Sequence, residues 1–167
     1  DYLRMLAPEA AVLDILTGGK AVISSTQFIG TTVVRNNAPD ANRLRKLPRC
    51  TRQALEDIKR DSAKASASYY HPFFANYALG LDQALRRIVQ ALRKEGKGIA
   101  FVRDTPRKDV LFPTGEAMIE TLRSSGCAVR ASSAVVRHHI GMRRKKGHRS
   151  LQGLAQREWT ISFERLR

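Results

Sequence analysis

CAVRASSAVVRHHI (Cys127–Ile140), GMRRKKGHRSLQGLAQR (Gly141–Arg157) and WTISFERL (Trp159–Leu166) are the stretches from which the rest of the chain is read. The first is extended and apolar and the third alternates, which predicts two strands joined by a basic loop and ending the chain. From Arg137 to Arg157 inclusive there are seven Lys/Arg and no Asp or Glu. Such a loop between two strands is suited to hold a polyanion, because each cation that meets a phosphate releases a condensed counterion. The candidate contacts are Arg137, Arg143, Arg144, Lys145, Lys146, His148 and Arg149. The alternative is a merely solvated loop.

Upstream of these strands the periodicity is helical. Phe73, Tyr77, Leu81, Leu85, Ile88, Val89 and Leu92 mark one face of a long helix. Pro72 suits its first turn, Arg93 and Lys94 suit its C-terminal end, and Gly96 ends it. Gly98–Asp104 is apolar enough to be a strand covered on both faces. Arg103 and Asp104 then stand at the end of the sheet where ligands bind, and an ion pair capping the strand accounts for them. Thr105–Phe112 reads as a loop. Pro113–Ser125 reads as a helix with Ala117, Met118, Thr121 and Leu122 inward and Gly126 as its stop. Helix, strand, helix, strand, strand is an α/β order, the second half of a doubly wound sheet whose last pair is an antiparallel hairpin.

The N-terminal third is less regular. Leu3, Leu6, Ala10, Leu13 and Ile15 or Leu16 predict a helix over Tyr2–Thr17, stopped by Gly18-Gly19. Lys20–Asn37 is a strand or an extended loop. Pro39–Arg52 is a basic linker, and Thr51 is the expected N-cap of a short polar helix reaching about Lys64. Residues 18–68 carry too few apolar side chains for a core, which predicts a flexible basic insertion facing either solvent or nucleic acid. Arg43, Arg45, Arg49 and Arg52 would be its contacts. Tyr69, Tyr70, Phe73 and Phe74 offer either a stacking platform or core packing. The opening at Asp1, directly in helical periodicity, reads as a piece of a larger enzyme.

Composition narrows the partners. Thirty Lys/Arg against fifteen Asp/Glu give a net charge of +15 in 167 residues, and the pI is near 10.7. That favours DNA, RNA or an anionic surface. With 43% hydrophobic residues the chain can bury one core, so a single domain over 1–167 is expected, partial if the chain is a piece. No apolar run is long enough for a membrane span. Cys50 and Cys127 are far apart without metal spacing, which reads as free thiols in the cytoplasm. His138, His139 and His148 lie within the basic stretch, so no metal site is expected.

The order of elements resembles the C-terminal half of the class I, Rossmann-like methyltransferases that use S-adenosylmethionine, and more narrowly the amino-methyltransferases of DNA found in restriction-modification. Asp1-Tyr2-Leu3-Arg4 resembles the chain just after the family's Ser-Pro-Pro-Tyr motif. Phe28-Ile29-Gly30 is similar to its Ile-Gly element. Tyr69-Tyr70 and Phe73-Phe74 resemble the aromatic start of its next helix, and Leu85–Gly98 its helix-to-strand step. Arg137–Met142 resembles the basic motif after the penultimate strand, and Arg157–Phe163 its charged-aromatic final strand. The resemblance implies methylation of the exocyclic amine of a flipped cytosine or adenine, with Asp1 and Tyr2 bordering the pocket and the cationic residues gripping phosphates. The family's Gly-rich cofactor turn and Ser-Pro-Pro-Tyr have no counterpart here. S-adenosylmethionine is therefore expected only with an N-terminal portion, which, or self-association, would cover the strand edge near Ile99–Val102. Two alternatives remain: a non-catalytic nucleic-acid-binding module or regulatory subunit, and part of an RNA methyltransferase.

Overall fold

The computed structural model describes residues 39–62, 64–107, 110–135 and 157–166. The expected first helix, the segment 20–37 and the basic loop after Val135 lie outside the described residues.

Asp40 starts the described fold by capping α1 (Ala41–Arg45): its Oδ1 accepts from the backbone of Asn42 at 2.9 Å and Arg43 at 3.3 Å. A short turn leads to α2 (Arg49–Arg60), whose N-cap is Pro48. Thr51 is therefore inside the helix and not its cap. It is buried because it shares a 3.6-residue stripe with Ala54, Leu55 and Ile58. Ala65, at φ 65°, turns the chain into a π-helical turn, Ser66–Tyr70, that runs into α3 (His71–Ala91) with Pro72 in its first turn.

Two core clusters share α3. Its first half packs with α2 and Phe112: Leu47, Ala54, Leu55, Ile58, Phe74, Ala75, Ala78 and Leu79 are buried there. Its second half supplies Leu85 and Val89 to a cluster with Met118, Ile119, Leu122, Cys127, Ile161 and Phe163. This corrects two expectations. The stretch 39–62 is core-forming, because its few apolar residues fall on one stripe. The buried line of α3 also differs from the expected face, and Ile88 stays 48% exposed, because α3 meets α2 at one end and the sheet layer at the other.

After α3 the chain turns through Glu95 (φ 60°) and Gly96 into β1 (Lys97–Arg103). The expected loop that follows is a small hairpin, β2 (Thr105–Arg107) with β3 (Val110–Phe112). It places Phe112, fully buried, at the first core cluster. Helix α4 (Thr114–Ser124) buries Ala117, Met118, Thr121 and Leu122 as its spacing predicts, and Gly126 follows at φ 86°. Then come β4 (Cys127–Val135) and β5 (Arg157–Arg165).

The last two strands pair antiparallel as expected, but β5 also pairs antiparallel with β1, so the sheet order is β1-β5-β4 with the final strand in the middle. Both outer strands oppose β5 and hence run parallel to each other, joined by the α4 crossover. The fold is mixed α/β, with a three-stranded antiparallel sheet and helices α3 and α4 on one face. Among the described residues nothing covers the other face. Ile99 is 68% and Phe101 79% exposed, so β1 is not the doubly covered strand its composition suggests.

Candidate nucleic-acid interface

Between Ala41 and Leu55 there are five cations, Arg43, Arg45, Lys46, Arg49 and Arg52, and no carboxylate; all five are exposed. The one acid just before them, Asp40, is engaged in capping α1. Two of the arginines are partly oriented. Arg43 Nη2 donates to Gln83 Oε1 on α3 at 3.2 Å, and Arg52 Nε donates to the Leu47 carbonyl at 3.2 Å. Arg49 and Arg52 lie in the first turn of α2, at the positive end of its dipole, where a cation costs about 0.3–1 kcal/mol. No acid occupies that turn. An anion near that turn would relieve the repulsion.

Acids of α4 bound this surface. The Cys50 thiol is pushed up to about 11 by burial and by the negative fields of Glu120 and Glu116. That places the two glutamates near the start of α2 and limits the positive patch on that side. Among the described residues no three His, Cys, Asp or Glu gather as a metal site, and no helix is long and apolar enough to cross a membrane.

The sheet end where β1 stops holds a clamp that sequence reasoning assigned differently. Arg103 does not pair with Asp104; its Nε donates to Glu158 Oε1 at 2.9 Å across the β1–β5 ladder. Asp104, 3% exposed, accepts from the Trp159 indole at 3.1 Å and from the Gly115 backbone N–H at 3.0 Å. One carboxyl thus ties β1, β5 and the start of α4 together. Nothing in the local sequence signals this, because Asp104 and Trp159 are far apart along the chain.

The aromatic cluster packs largely on itself. Phe74 is buried against Phe112 with ring centroids 5.0 Å apart, while Tyr69 and Phe73 stack nearly parallel at 6.3 Å. These rings serve the first core cluster more than any ligand. The expected contacts Arg43, Arg45, Arg49 and Arg52 are brought onto α1 and α2. Arg137, Arg143, Arg144, Lys145, Lys146, His148 and Arg149, and Asp1 and Tyr2, expected at a pocket border, lie outside the described residues.

Two glycines are packed tightly against aromatic rings. A Cβ on Gly98 would collide with the Phe163 ring, and one on Gly115 with the Trp159 indole. Both glycines make room for this chain's own aromatics. No family model, curated protein or solved structure matches the chain.

Proposed function

We propose that the chain is the nucleic-acid-contacting C-terminal part of an S-adenosylmethionine-dependent DNA amino-methyltransferase. The observation that carries this reading is the sheet: two parallel strands joined by the α4 crossover, with the terminal strand β5 between them and antiparallel to both. That arrangement suits the end of a Rossmann-like sheet closed by an antiparallel strand. On this reading the arginines of α1 and α2 position the duplex through its phosphates, and the basic residues between Arg137 and Arg149 add a second grip. On this reading the cofactor and the group that holds the target amine come from an N-terminal portion that carries the Gly-rich turn and the Ser-Pro-Pro-Tyr motif.

The exposed arginines of α1 and α2 favour a second reading, a non-catalytic nucleic-acid-binding module. Calorimetric titration with S-adenosylmethionine separates the two, using the chain alone and then mixed with a methyltransferase portion that carries the Gly-rich turn and Ser-Pro-Pro-Tyr. Binding only in the mixture, followed by methyl transfer to DNA, supports the methyltransferase. Silence in both, with DNA still retarded in a gel, supports the binding module. Preference for structured RNA over duplex DNA at matched salt would move the assignment to RNA.

A further inference from the structure

We infer that Thr51, Asp82 and Thr121 form a binding site for a single water molecule, which joins α2 to α3 and α4. The buried stripe of α2 is Thr51, Ala54, Leu55 and Ile58, and α4 buries Ala117, Met118, Thr121 and Leu122. In each run one threonine stands among apolar side chains, at 1% exposure for Thr51 and 2% for Thr121. A hydroxyl buried in such a run is stable there when it is hydrogen-bonded.

Both threonines line one cavity between the three helices. Leu47, Ala78, Phe112 and Ala117 supply apolar walls, and Thr51, Thr121 and Asp82 are its polar lining. The space open to the centre of a water molecule is about 10 Å³. One water requires roughly 10–15 Å³ on that measure and two to four polar partners, so the cavity suits one water and nothing larger.

The three polar groups are incompletely used. Thr121 Oγ1 donates to Asp82 Oδ1 at 3.2 Å, and Arg86 Nε reaches Oδ1 at 3.2 Å and Oδ2 at 3.0 Å. Oδ2 keeps acceptor capacity. Thr51 Oγ1 has one contact among the described residues, the Sγ of neighbouring Cys50 at 3.9 Å. Sulfur is a weak partner, which leaves the Thr51 hydroxyl with no oxygen to meet. A water in the cavity can accept the Thr51 proton and give its own two to Asp82 Oδ2 and Thr121 Oγ1, which satisfies every group. The Asp82 carboxylate is paired with Arg86, so the site favours a neutral ligand over a cation. Thr51 shares the first turns of α2 with Arg49 and Arg52, and the water therefore fixes the seating of the helix that carries both. The site is independent of what those arginines meet.

Relaxation dispersion of the water oxygen nucleus counts long-lived waters and is blind to exchange of hydroxyl protons. Thr51→Val keeps the shape of the side chain and removes the hydroxyl. The count should fall by a single water, with an unchanged far-ultraviolet spectrum, while Thr51→Ser keeps the parental count. A crystal of the unaltered chain should show a water within about 2.5–3.0 Å of Thr51 Oγ1 and of an Asp82 oxygen. Equal counts for the parent and Thr51→Val would overturn the inference. So would loss of the water in Thr51→Ser, which would make packing and not the hydroxyl its cause. Should Thr51→Val fail to fold, the crystal decides: a water at that place upholds the site, and none there removes it.

Discussion

Replacing Asp104 by Ala tests the clamp that holds the sheet to α4. The carboxyl is 3% exposed and accepts from two donors, the Gly115 N–H and the Trp159 indole. Removal leaves the Gly115 N–H, on a buried residue at the first turn of α4, without its acceptor; a stranded buried donor costs about 1–3 kcal/mol. The half-buried indole can recover some hydration, so its share falls near 1 kcal/mol. The expected sum is about 3 kcal/mol of folding free energy. For a chain of this length that lowers the melting temperature by about 6–12 °C. Asp104→Asn keeps one carbonyl acceptor and should lose roughly half as much. Urea titrations followed by tryptophan fluorescence measure both variants, since Trp159 is the sole tryptophan. A double-mutant cycle with Trp159→Phe, all four proteins followed by far-ultraviolet circular dichroism, should show coupling of about 1 kcal/mol. A loss below about 0.5 kcal/mol for Asp104→Ala, or zero coupling, would refute the clamp, because surface-like changes stay within that range.

Gly115→Ala places a methyl where the Trp159 indole lies, so the ring must move; a loss of about 1–3 kcal/mol with a red-shifted tryptophan emission is expected, measured in the same titration. Arg45→Ala combined with Arg49→Ala should weaken duplex binding and flatten the plot of log K against log salt by about 0.9 for each phosphate no longer neutralised; an unchanged slope would remove α1 and α2 from the interface. The pKa of His71 is lowered by burial and then by Lys59, against the opposing pull of Glu56. A lowered histidine pKa means that the folded state binds fewer protons. Its contribution is fully present above the unfolded value of about 6.5 and is lost as pH falls through the folded value. Urea midpoints at pH 7.5 and 5.5 should therefore converge in His71→Gln relative to the parent.

Much of the C-terminal architecture was legible in the chain. Ala117, Met118, Thr121 and Leu122 recur at the helical period and are buried together, and Gly126 adopts the positive φ expected after a helix. The antiparallel pairing of the last two strands followed from two extended segments with a loop between them. The basic residues of the N-terminal linker were visible as charge. Their placement on α1 and α2 was not, because Thr51 looks like a cap in sequence and becomes a buried stripe residue only when Ala54, Leu55 and Ile58 pack against α3.

What the sequence by itself determined was local: helix periods, strand alternation, stop signals and the excess of positive charge, each a property of neighbours along the chain. The tertiary structure alone decided that β5 enters between β1 and β4, since strand order depends on pairings between distant segments. It also decided that Asp104 meets Trp159 and Gly115 while Arg103 meets Glu158, because register sets those partners. The uncovered face of β1 belongs to the same class of fact. An apolar strand reads alike whether one face or two are covered, and only the placement of α3 and α4 on a single side leaves Ile99 and Phe101 exposed.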